Sequence, residues 1–249
     1  MMAARAGARN IVACEQVPII AEAAQRVIRS NRYEGQIRVV NKASRDLVVG
    51  SDLDGPADIL ISEIISSDLL AENVLGTFED AHERLLRPGA TIIPRAATAV
   101  GCLVASENLA KYAFVKNVSG FDVSPLTALA PSRLPVHGIM TSWRRLSDDF
   151  DLVSIDLTAS KHQPTMQRLT VDVREDGEAV GVVQWIRLDL AAGIAFSNHP
   201  DTYFDGGWLQ VLHTFTRPIR VSAGERFELT VGHDRVSLAI LPARSASPA

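Results

Sequence analysis

The hydrophobic pattern of the sequence changes once, at Ile93-Pro94, and this change limits the fold more than any other feature. Before it, helical periodicities alternate with short β-branched runs. After it, short alternating strands follow one another, separated by Gly, Pro, Asp and Asn. Alternating strands and helices are typical of a doubly wound α/β domain, whereas consecutive short strands indicate a β-barrel or sandwich. The pattern therefore predicts an α/β domain over residues 1–94 and a β-barrel domain over residues 95–249.

Individual elements follow from the same periodicities. In the first part, strands are predicted at residues 10–14, 37–40 and 57–62, and helices at residues 17–31 and 77–87, the second ended by Pro88-Gly89. The first helix places its apolar residues on one inner face: Ile19, Ile20, Ala23, Ala24, Val27 and Ile28. In the second part, strands are predicted at residues 98–104, 152–157, 167–173, 179–188, 209–215 and 226–241, with one helix at residues 107–116. Residues 122–147 contain three prolines and no clear period. They suggest a protruding arm, although an ordinary long loop fits them equally well.

Composition excludes several classes of protein. The chain has 249 residues and a net charge of -4, so no global basic field favours nucleic acid. Cys14 and Cys102 both lie in apolar runs, which predicts two buried thiols and a reducing compartment. The sequence contains no zinc-type Cys/His spacing, no stretch of transmembrane length and no signal-peptide pattern. We expect a soluble, cytoplasmic protein that binds no metal and contacts neither membrane nor nucleic acid.

Paired glutamates are the strongest local feature. Glu63 and Glu72 stand nine residues apart in SEIISSDLLAEN, residues 62–73, which we call the glutamate loop. The loop follows a buried strand, at the carboxyl edge where doubly wound sheets bind ligands. Two converging carboxylates suit a guanidinium, whose planar fork of donors they satisfy bidentately. Asp68 lies between them. A solvated acidic loop at the top of a sheet explains the same spacing equally well.

Two further segments fall at the same edge of the sheet. Glu15 comes directly after the NIVAC strand, a position where an acid commonly accepts hydrogen bonds from the ribose hydroxyls of a nucleoside cofactor. Residues 41–44 (NKAS) follow the next strand, where an adenine edge would lie. Solvated polar groups at strand ends remain the simpler alternative for both segments.

Taken together, these segments resemble the protein arginine methyltransferases, a family of class I S-adenosylmethionine-dependent enzymes. MAARAGARNIVACE is similar to the helix, strand and acid that follow the family's glycine-rich loop, and the glutamate loop resembles its paired-glutamate loop. PGATIIPRAATAVGCLV resembles the hinge into the family's β-barrel, VSGFDVSPL the start of its dimerisation arm, and GWLQ at residues 207–210 its His-Trp loop. The resemblance covers essentially the whole chain.

The resemblance implies a role for each matching residue. Glu63 and Glu72 would be the catalytic pair that clamps the substrate guanidinium, with Asp68 and Trp208 shaping the substrate pocket. Glu15, Ala43, Ser44 and either Met1 or Met2 would bind S-adenosylmethionine, which becomes S-adenosylhomocysteine; no metal is needed. The partners implied are an arginine-containing protein or peptide and a second copy of the chain.

Three departures from the family pattern affect these expectations. Gly207 replaces the histidine usual before Trp208, and Asp68 adds acidity that could change how many methyl groups are transferred. The glycine-rich loop, the strand before it and the N-terminal helix have no counterpart, so the resemblance implies a truncated Rossmann-like domain over residues 1–94. We therefore expect Met1 to be an internal methionine of a longer reading frame, or the chain to be a fragment. Whether this chain is itself active stays open.

Two other functions compete with arginine methylation. A non-catalytic scaffold of the same ancestry would explain the missing glycine loop, although the retained glutamates argue against it. A methyltransferase acting on another nucleophile is disfavoured because a neutral hydroxyl or a carboxylate has no use for two anions.

Overall fold

A computed structural model describes residues 1–137, 141–202 and 206–243. It divides into two compact units, one of residues 1–60 and 76–92 and the other of residues 61–75 and 93–249. The boundary predicted at residue 94 lies just inside the second unit, which also takes in residues 61–75 and therefore the whole glutamate loop. The predicted order of an α/β part followed by a β-rich part is confirmed.

The first unit is built from short strands and helices. Its elements are α1 (Met2–Arg5), β1 (Ile11–Cys14), α2 (Pro18–Ser30), β2 (Ile37–Val40), a 3-10 helix (Ser44–Asp46), and most of β3 (Ala57–Ile61), α3 (Val74–Arg84) and β4 (Leu86–Ile93). β1 and β2 pair in parallel, with Ile11 opposite Ile37, and β3 pairs separately with β4. β1, β2 and α2 agree with the sequence prediction.

Small apolar clusters hold this unit together. Ala4, Ile28 and Ile37 pack α1 and α2 against β1 and β2, and Leu47, Ala81 and Leu85 form a second cluster. Burying each isoleucine or leucine side chain of these clusters contributes about 1.5–3 kcal/mol, and each alanine contributes less.

Three expectations for the first unit were wrong. The predicted helix at 77–87 ends at Arg84, and Pro88-Gly89 lie inside β4. Cys14 is exposed rather than buried. Ile19, predicted on the inner face of α2, is 75% exposed, because Ala21 and Ile28 are the side chains that α2 buries.

The second unit is dominated by antiparallel sheet. Its strands are β5 (Ala96–Ala105), β6 (Asn117–Val118), β7 (Phe121–Asp122), β8 (Arg133–Val136), β9 (Arg144–Arg145), β10 (Phe150–Asp156), β11 (Thr165–Asp172), β12 (Gly177–Ala191), β13 (Ile194–Ser197), β14 (Gln210–Val221), β15 (Arg226–His233) and β16 (Leu238–Pro242). Helix α4 (Glu107–Ala113) and a 3-10 helix (Ser124–Leu129) complete it.

Apart from the hairpin of β6 and β7, these strands form one large and one small sheet. The seven-stranded sheet has the order β10-β5-β12-β14-β8, with β13 added to β12 and β9 to β5, and the three-stranded sheet has the order β11-β15-β16. No closed ring of paired strands occurs among the described residues. Phe215 and Phe227 stack between the sheets with ring centroids 5.7 Å apart. On the opposite face of the large sheet, α4 packs with Leu109 against Val183 and Trp185.

The predicted arm (residues 122–147) is only partly separate from the sheet. Residues 133–136 are β8, which pairs with β14, and residues 144–145 are β9, which pairs with β5. The hairpin β6–β7 and the 3-10 helix precede them, with Phe121 73% exposed and Leu129 81% exposed. Residues 138–140 of the predicted arm lie outside the described residues. Nowhere in the part of the chain that the structure describes is a helix both long and apolar enough to cross a membrane.

Candidate functional site

The glutamate loop buries its apolar side chains and exposes its two glutamates. Ile65, Leu69 and Leu70 are at most 3% exposed, whereas Glu63 and Glu72 are exposed. Among the described residues, neither glutamate has a hydrogen-bond or ion-pair partner. The loop therefore presents two unpaired carboxylates from a well-packed segment.

Trp208 lies against this loop, and its predicted role in shaping the substrate pocket stays a prediction. Its indole Nε1 donates a hydrogen bond to the carbonyl oxygen of Ile65 at 2.7 Å. The next residue, Leu209, donates its backbone N–H to Ser67 Oγ at 3.0 Å, and the Trp208 ring packs on Phe196 with centroids 5.1 Å apart. The structure thus brings Trp208 and the glutamate loop together within the second unit.

Asp68 is already engaged by neighbouring side chains. Its Oδ1 accepts a hydrogen bond from Ser66 Oγ at 2.7 Å, and its Oδ2 pairs with Arg133 Nη1 at 3.0 Å. Asp68 therefore joins the site as an ion-paired group rather than as a third free carboxylate. Its predicted contact with substrate stays a prediction.

Two features that the sequence analysis missed also shape the loop. Gln184 of β12 donates Nε2 to the carbonyl oxygen of Ser67 at 3.3 Å. Leu69 and Asn73 adopt left-handed backbone with φ of 75° and 54°, a conformation that costs about 1 kcal/mol or more at residues other than glycine. The available signal was a lone glutamine in the apolar run VVQWI. The tertiary contacts that hold the loop outweigh this strain.

The predicted cofactor residues lie in the first unit, at one edge of the parallel strand pair. Glu15 follows β1, and its Oε1 accepts the backbone N–H of Val17, the N-cap of α2, at 2.7 Å. Asn41 follows β2 and donates Nδ2 to the carbonyl oxygen of Glu15 at 2.8 Å. Because parallel strands end at the same edge, this bond ties together the two segments predicted to bind a nucleoside.

The turn after β2 is held by charged groups. Ala43 and Ser44, both half-buried, begin the 3-10 helix that follows β2. Lys42 Nζ pairs with Asp52 at 2.8 Å, and hydrogen bonding from Lys42 lowers the pKa of the Asp52 carboxyl. Arg84 of α3 donates Nη2 to the carbonyl oxygen of Arg45 at 2.9 Å. These bonds fix the segment in which Ala43 and Ser44 lie.

The methionines are more exposed than the other predicted cofactor residues. Met1 is 44% exposed and Met2, which opens α1, is 82% exposed. Their predicted role near the cofactor sulfur stays a prediction, as do the roles of Glu15, Ala43 and Ser44. In the described ranges, no group of three or more His, Cys, Asp or Glu side chains is arranged to hold a metal ion.

Comparison with known proteins gives consistent matches. A family model described as the arginine methyltransferase oligomerization subdomain matches residues 97–238. The chain is 36% identical over 243 residues to an arginine N(omega)-methyltransferase of Streptomyces achromogenes subsp. streptozoticus, covering 96% of this chain and 66% of that protein. It is 27% identical over 289 residues to protein arginine N-methyltransferase 7 of Drosophila ananassae, covering 100% of this chain and 42% of the relative.

The fold also matches a solved structure. The Trypanosoma brucei PRMT1 enzyme-prozyme heterotetrameric complex with AdoHcy contains a chain that superposes with a TM-score of 0.82 and 21% sequence identity. The match covers 100% of this chain and 82% of that chain, and it establishes the fold alone. The chain spans about two thirds of the Streptomyces relative and about two fifths of the Drosophila relative.

Proposed function

The chain belongs to the arginine methyltransferase family, and we propose that it transfers a methyl group from S-adenosylmethionine to a guanidine nitrogen of an arginine side chain in a protein or peptide. The observation that carries this proposal is the glutamate loop. Glu63 and Glu72 remain exposed and unpaired among the described residues, while Trp208, Arg133 and Gln184 hold the segment between them.

Unpaired carboxylates on a fixed loop suit a guanidinium substrate. A charge-assisted hydrogen bond contributes about 1.5–3 kcal/mol, and two carboxylates offer the planar donors of a guanidinium a bidentate fit. Holding the loop in place beforehand reduces the entropy lost when substrate binds. A neutral nucleophile would gain nothing from two anions on one loop.

Each residue then has a defined chemical task. Glu63 and Glu72 bind the guanidinium, direct one nitrogen toward the methyl donor, and accept the proton that this nitrogen loses. Trp208 lines the substrate pocket beside the loop, where its hydrogen bond to Ile65 holds it. S-adenosylmethionine, when bound, supplies an electrophilic methyl group on its sulfonium sulfur. The rate enhancement comes from positioning and electrostatic stabilisation rather than from a covalent enzyme intermediate.

The residues after β1 and β2 fit the nucleoside part of such a cofactor. One oxygen of Glu15 is fixed by the Val17 backbone, while the other accepts no hydrogen bond within the described ranges and suits a ribose hydroxyl. Ala43 and Ser44 start a turn fixed by Lys42–Asp52, which suits the edge of an adenine ring. These residues support S-adenosylmethionine as cofactor.

The test is transfer of radiolabelled methyl from S-adenosylmethionine to an arginine peptide. Wild type is expected to label the arginine peptide and to leave a matched lysine peptide unlabelled. Glu63→Gln and Glu72→Gln should each lower kcat/KM at least about 100-fold, as loss of one charged contact in the transition state does. Glu178→Gln, which changes an exposed glutamate of β12, is the matched control and should keep wild-type turnover.

Equal turnover in Glu63→Gln and wild type would reject the guanidinium clamp. Methylation of both peptides would instead support a methyltransferase with another nucleophile. A folded wild-type chain that labels neither peptide would support the scaffold alternative.

A second substrate has a specific observation in its favour. The relative with 36% identity is named an arginine methyltransferase without reference to protein. Free L-arginine carries the same guanidinium and fits the same pair of carboxylates. Assaying free arginine beside the peptide separates the two, because a peptide enzyme should show at least about a tenfold higher kcat/KM for the peptide from contacts beyond the side chain.

We also propose that the chain works as a cytoplasmic homodimer. The match to an oligomerization subdomain and the exposed Phe121 and Leu129 support self-association, and the two free cysteines support a reducing compartment. Light scattering should give twice the chain mass for wild type and the monomer mass for Phe121→Ser/Leu129→Ser. A monomeric wild type at micromolar concentration would reject the dimer, and a secreted, disulfide-linked form would reject the cytoplasmic location.

A further inference from the structure

Two buried polar side chains lie on the sheet face that carries the glutamate loop. Gln184 of β12 is 0% exposed and His213 of β14 is 3% exposed. Val182 is opposite His213 and Gln184 is opposite Val211, so Gln184 and His213 are diagonal neighbours on the same face. Arg133 of β8 is the cross-strand partner of His213 on its other side. Three adjacent strands thus contribute polar groups to one face.

This polar face meets the centre of the glutamate loop. Gln184 Nε2 donates to the carbonyl oxygen of Ser67 at 3.3 Å, and Arg133 pairs with Asp68 at 3.0 Å. Ser67 also accepts the backbone N–H of Leu209 through its Oγ. The four residues from Ile65 to Asp68, midway between the two glutamates, are therefore held in place by groups of the large sheet and of the segment before β14.

The stability of the sheet does not explain a glutamine at this position. Gln184 Oε1 has no hydrogen-bond partner among the described residues, and the same holds for His213 Nε2. A buried polar atom left unpaired costs about 1–3 kcal/mol, whereas the long neutral bond from Nε2 contributes only about 0.5–1.5 kcal/mol. An apolar side chain of the same length would serve the core of the sheet at least as well.

We propose that Gln184 is a positioning residue for methyl transfer: its bond to Ser67 fixes the middle of the glutamate loop, and so sets where Glu63 and Glu72 meet the guanidinium. This inference rests on the proposed function. Gln184 does not itself contact substrate, because it is fully buried under the loop. Its unpaired Oε1 lowers local stability while its Nε2 bond keeps the loop rigid, a combination that is common at functional sites.

The test is Gln184→Met in the full chain, since methionine keeps the length of glutamine and removes its polar atoms. The melting temperature is expected to stay equal to wild type or to rise. Hydrogen exchange of peptides covering residues 62–75 should accelerate about tenfold, because the loop opens more easily. Turnover of an arginine peptide should fall about 10–100-fold, with KM changing less than about threefold, since small misplacement acts mainly on the chemical step.

Thr98→Val is the matched control. It also removes a side-chain hydrogen bond of the large sheet, the part-buried bond between Thr98 Oγ1 and Ser154 Oγ at 3.0 Å. Loop exchange and turnover should both match wild type in this variant. A slowing as large as that of Gln184→Met would overturn the proposal, because any damage to the sheet would then suffice.

The two proposals fail in different ways. If hydrogen exchange of the loop in Gln184→Met equals that of wild type, the positioning role is overturned whatever the activity. A large fall in melting temperature together with an unchanged kcat overturns it as well. A wild-type chain inactive on arginine rejects the proposed function, while faster loop exchange in Gln184→Met still supports the anchoring of the loop.

Discussion

Replacing Trp208 with Phe tests how firmly the glutamate loop is tied to the sheet. The change removes the indole N–H that bonds to the carbonyl oxygen of Ile65 at 2.7 Å, and leaves that oxygen without its donor. An unpaired buried acceptor costs about 1–3 kcal/mol, and the lost ring area adds a smaller amount. We expect a total loss of about 2 kcal/mol, because Ile65 is only 3% exposed and water reaches it poorly.

The loss should be visible in thermal unfolding. For a domain of 150–250 residues, about 2 kcal/mol corresponds to a fall of about 4–8 °C in Tm. Circular dichroism measures this transition, and limited proteolysis between residues 62 and 73 should accelerate in parallel. Trp143→Phe is the control: it shrinks a partly buried indole that packs on the apolar cluster of α4 and the large sheet, a cluster that includes no residue of the glutamate loop, so its proteolysis pattern should remain that of wild type. A Tm within about 1 °C of wild type in Trp208→Phe, together with unchanged proteolysis, would show that the Trp208–Ile65 hydrogen bond does not anchor the loop.

Three further predictions concern the rest of the molecule. Gly181→Ala would place a Cβ 2.1 Å from the His213 carbonyl oxygen and should lower the free energy of unfolding in urea by about 3 kcal/mol or more. Gly35 lies in open space, so Gly35→Ala should change this free energy by less than about 0.5 kcal/mol. Equal stability of the two variants would contradict this packing. Burial lowers the pKa of His213 from 6.5 to about 4, so the unfolded chain binds more protons between these pH values and stability should fall by about 3 kcal/mol as pH drops through them. His213→Phe should remove that part of the acid sensitivity, and an identical pH dependence in both proteins would contradict the assignment. Burial raises the pKa of Cys102 to about 12. A thiol reagent at pH 8 should therefore label only the exposed Cys14 in the folded chain, and both thiols in urea. Labelling of Cys102 at the same rate in the folded and the unfolded chain would contradict this burial.

Local periodicity predicted most of the elements. The β-branched runs at Ile11–Cys14 and Ile37–Val40 form strands, and the amphipathic stretch at Pro18–Ser30 forms a helix. Local periodicity gave the wrong element where tertiary pairing overrides local signals. Leu86–Ile93 is a strand although it contains Pro88-Gly89, because pairing with Ala57–Ile61 outweighs the turn preference of that dipeptide.

The candidate site was predictable only in part, for a similar reason. Glu63 and Glu72 stand out by type and spacing within one short segment. The groups that hold their loop come from distant parts of the chain: Gln184 lies 117 residues from Ser67, and Arg133 lies 65 residues from Asp68. No periodicity links such pairs, since only strand order and register bring them together. The same limit explains why the ion pair between Asp68 and Arg133 could not be predicted from the sequence.

The central claim is that the two glutamates recognise the positive charge of a guanidinium. The most direct test is calorimetric titration of the chain with an arginine peptide and with the same peptide carrying citrulline, which is similar in shape but neutral. We predict that wild type binds the arginine peptide at least about tenfold more tightly, which corresponds to about 1.4 kcal/mol, and that Glu63→Gln/Glu72→Gln binds both peptides equally. Equal affinity of wild type for the two peptides would contradict the account.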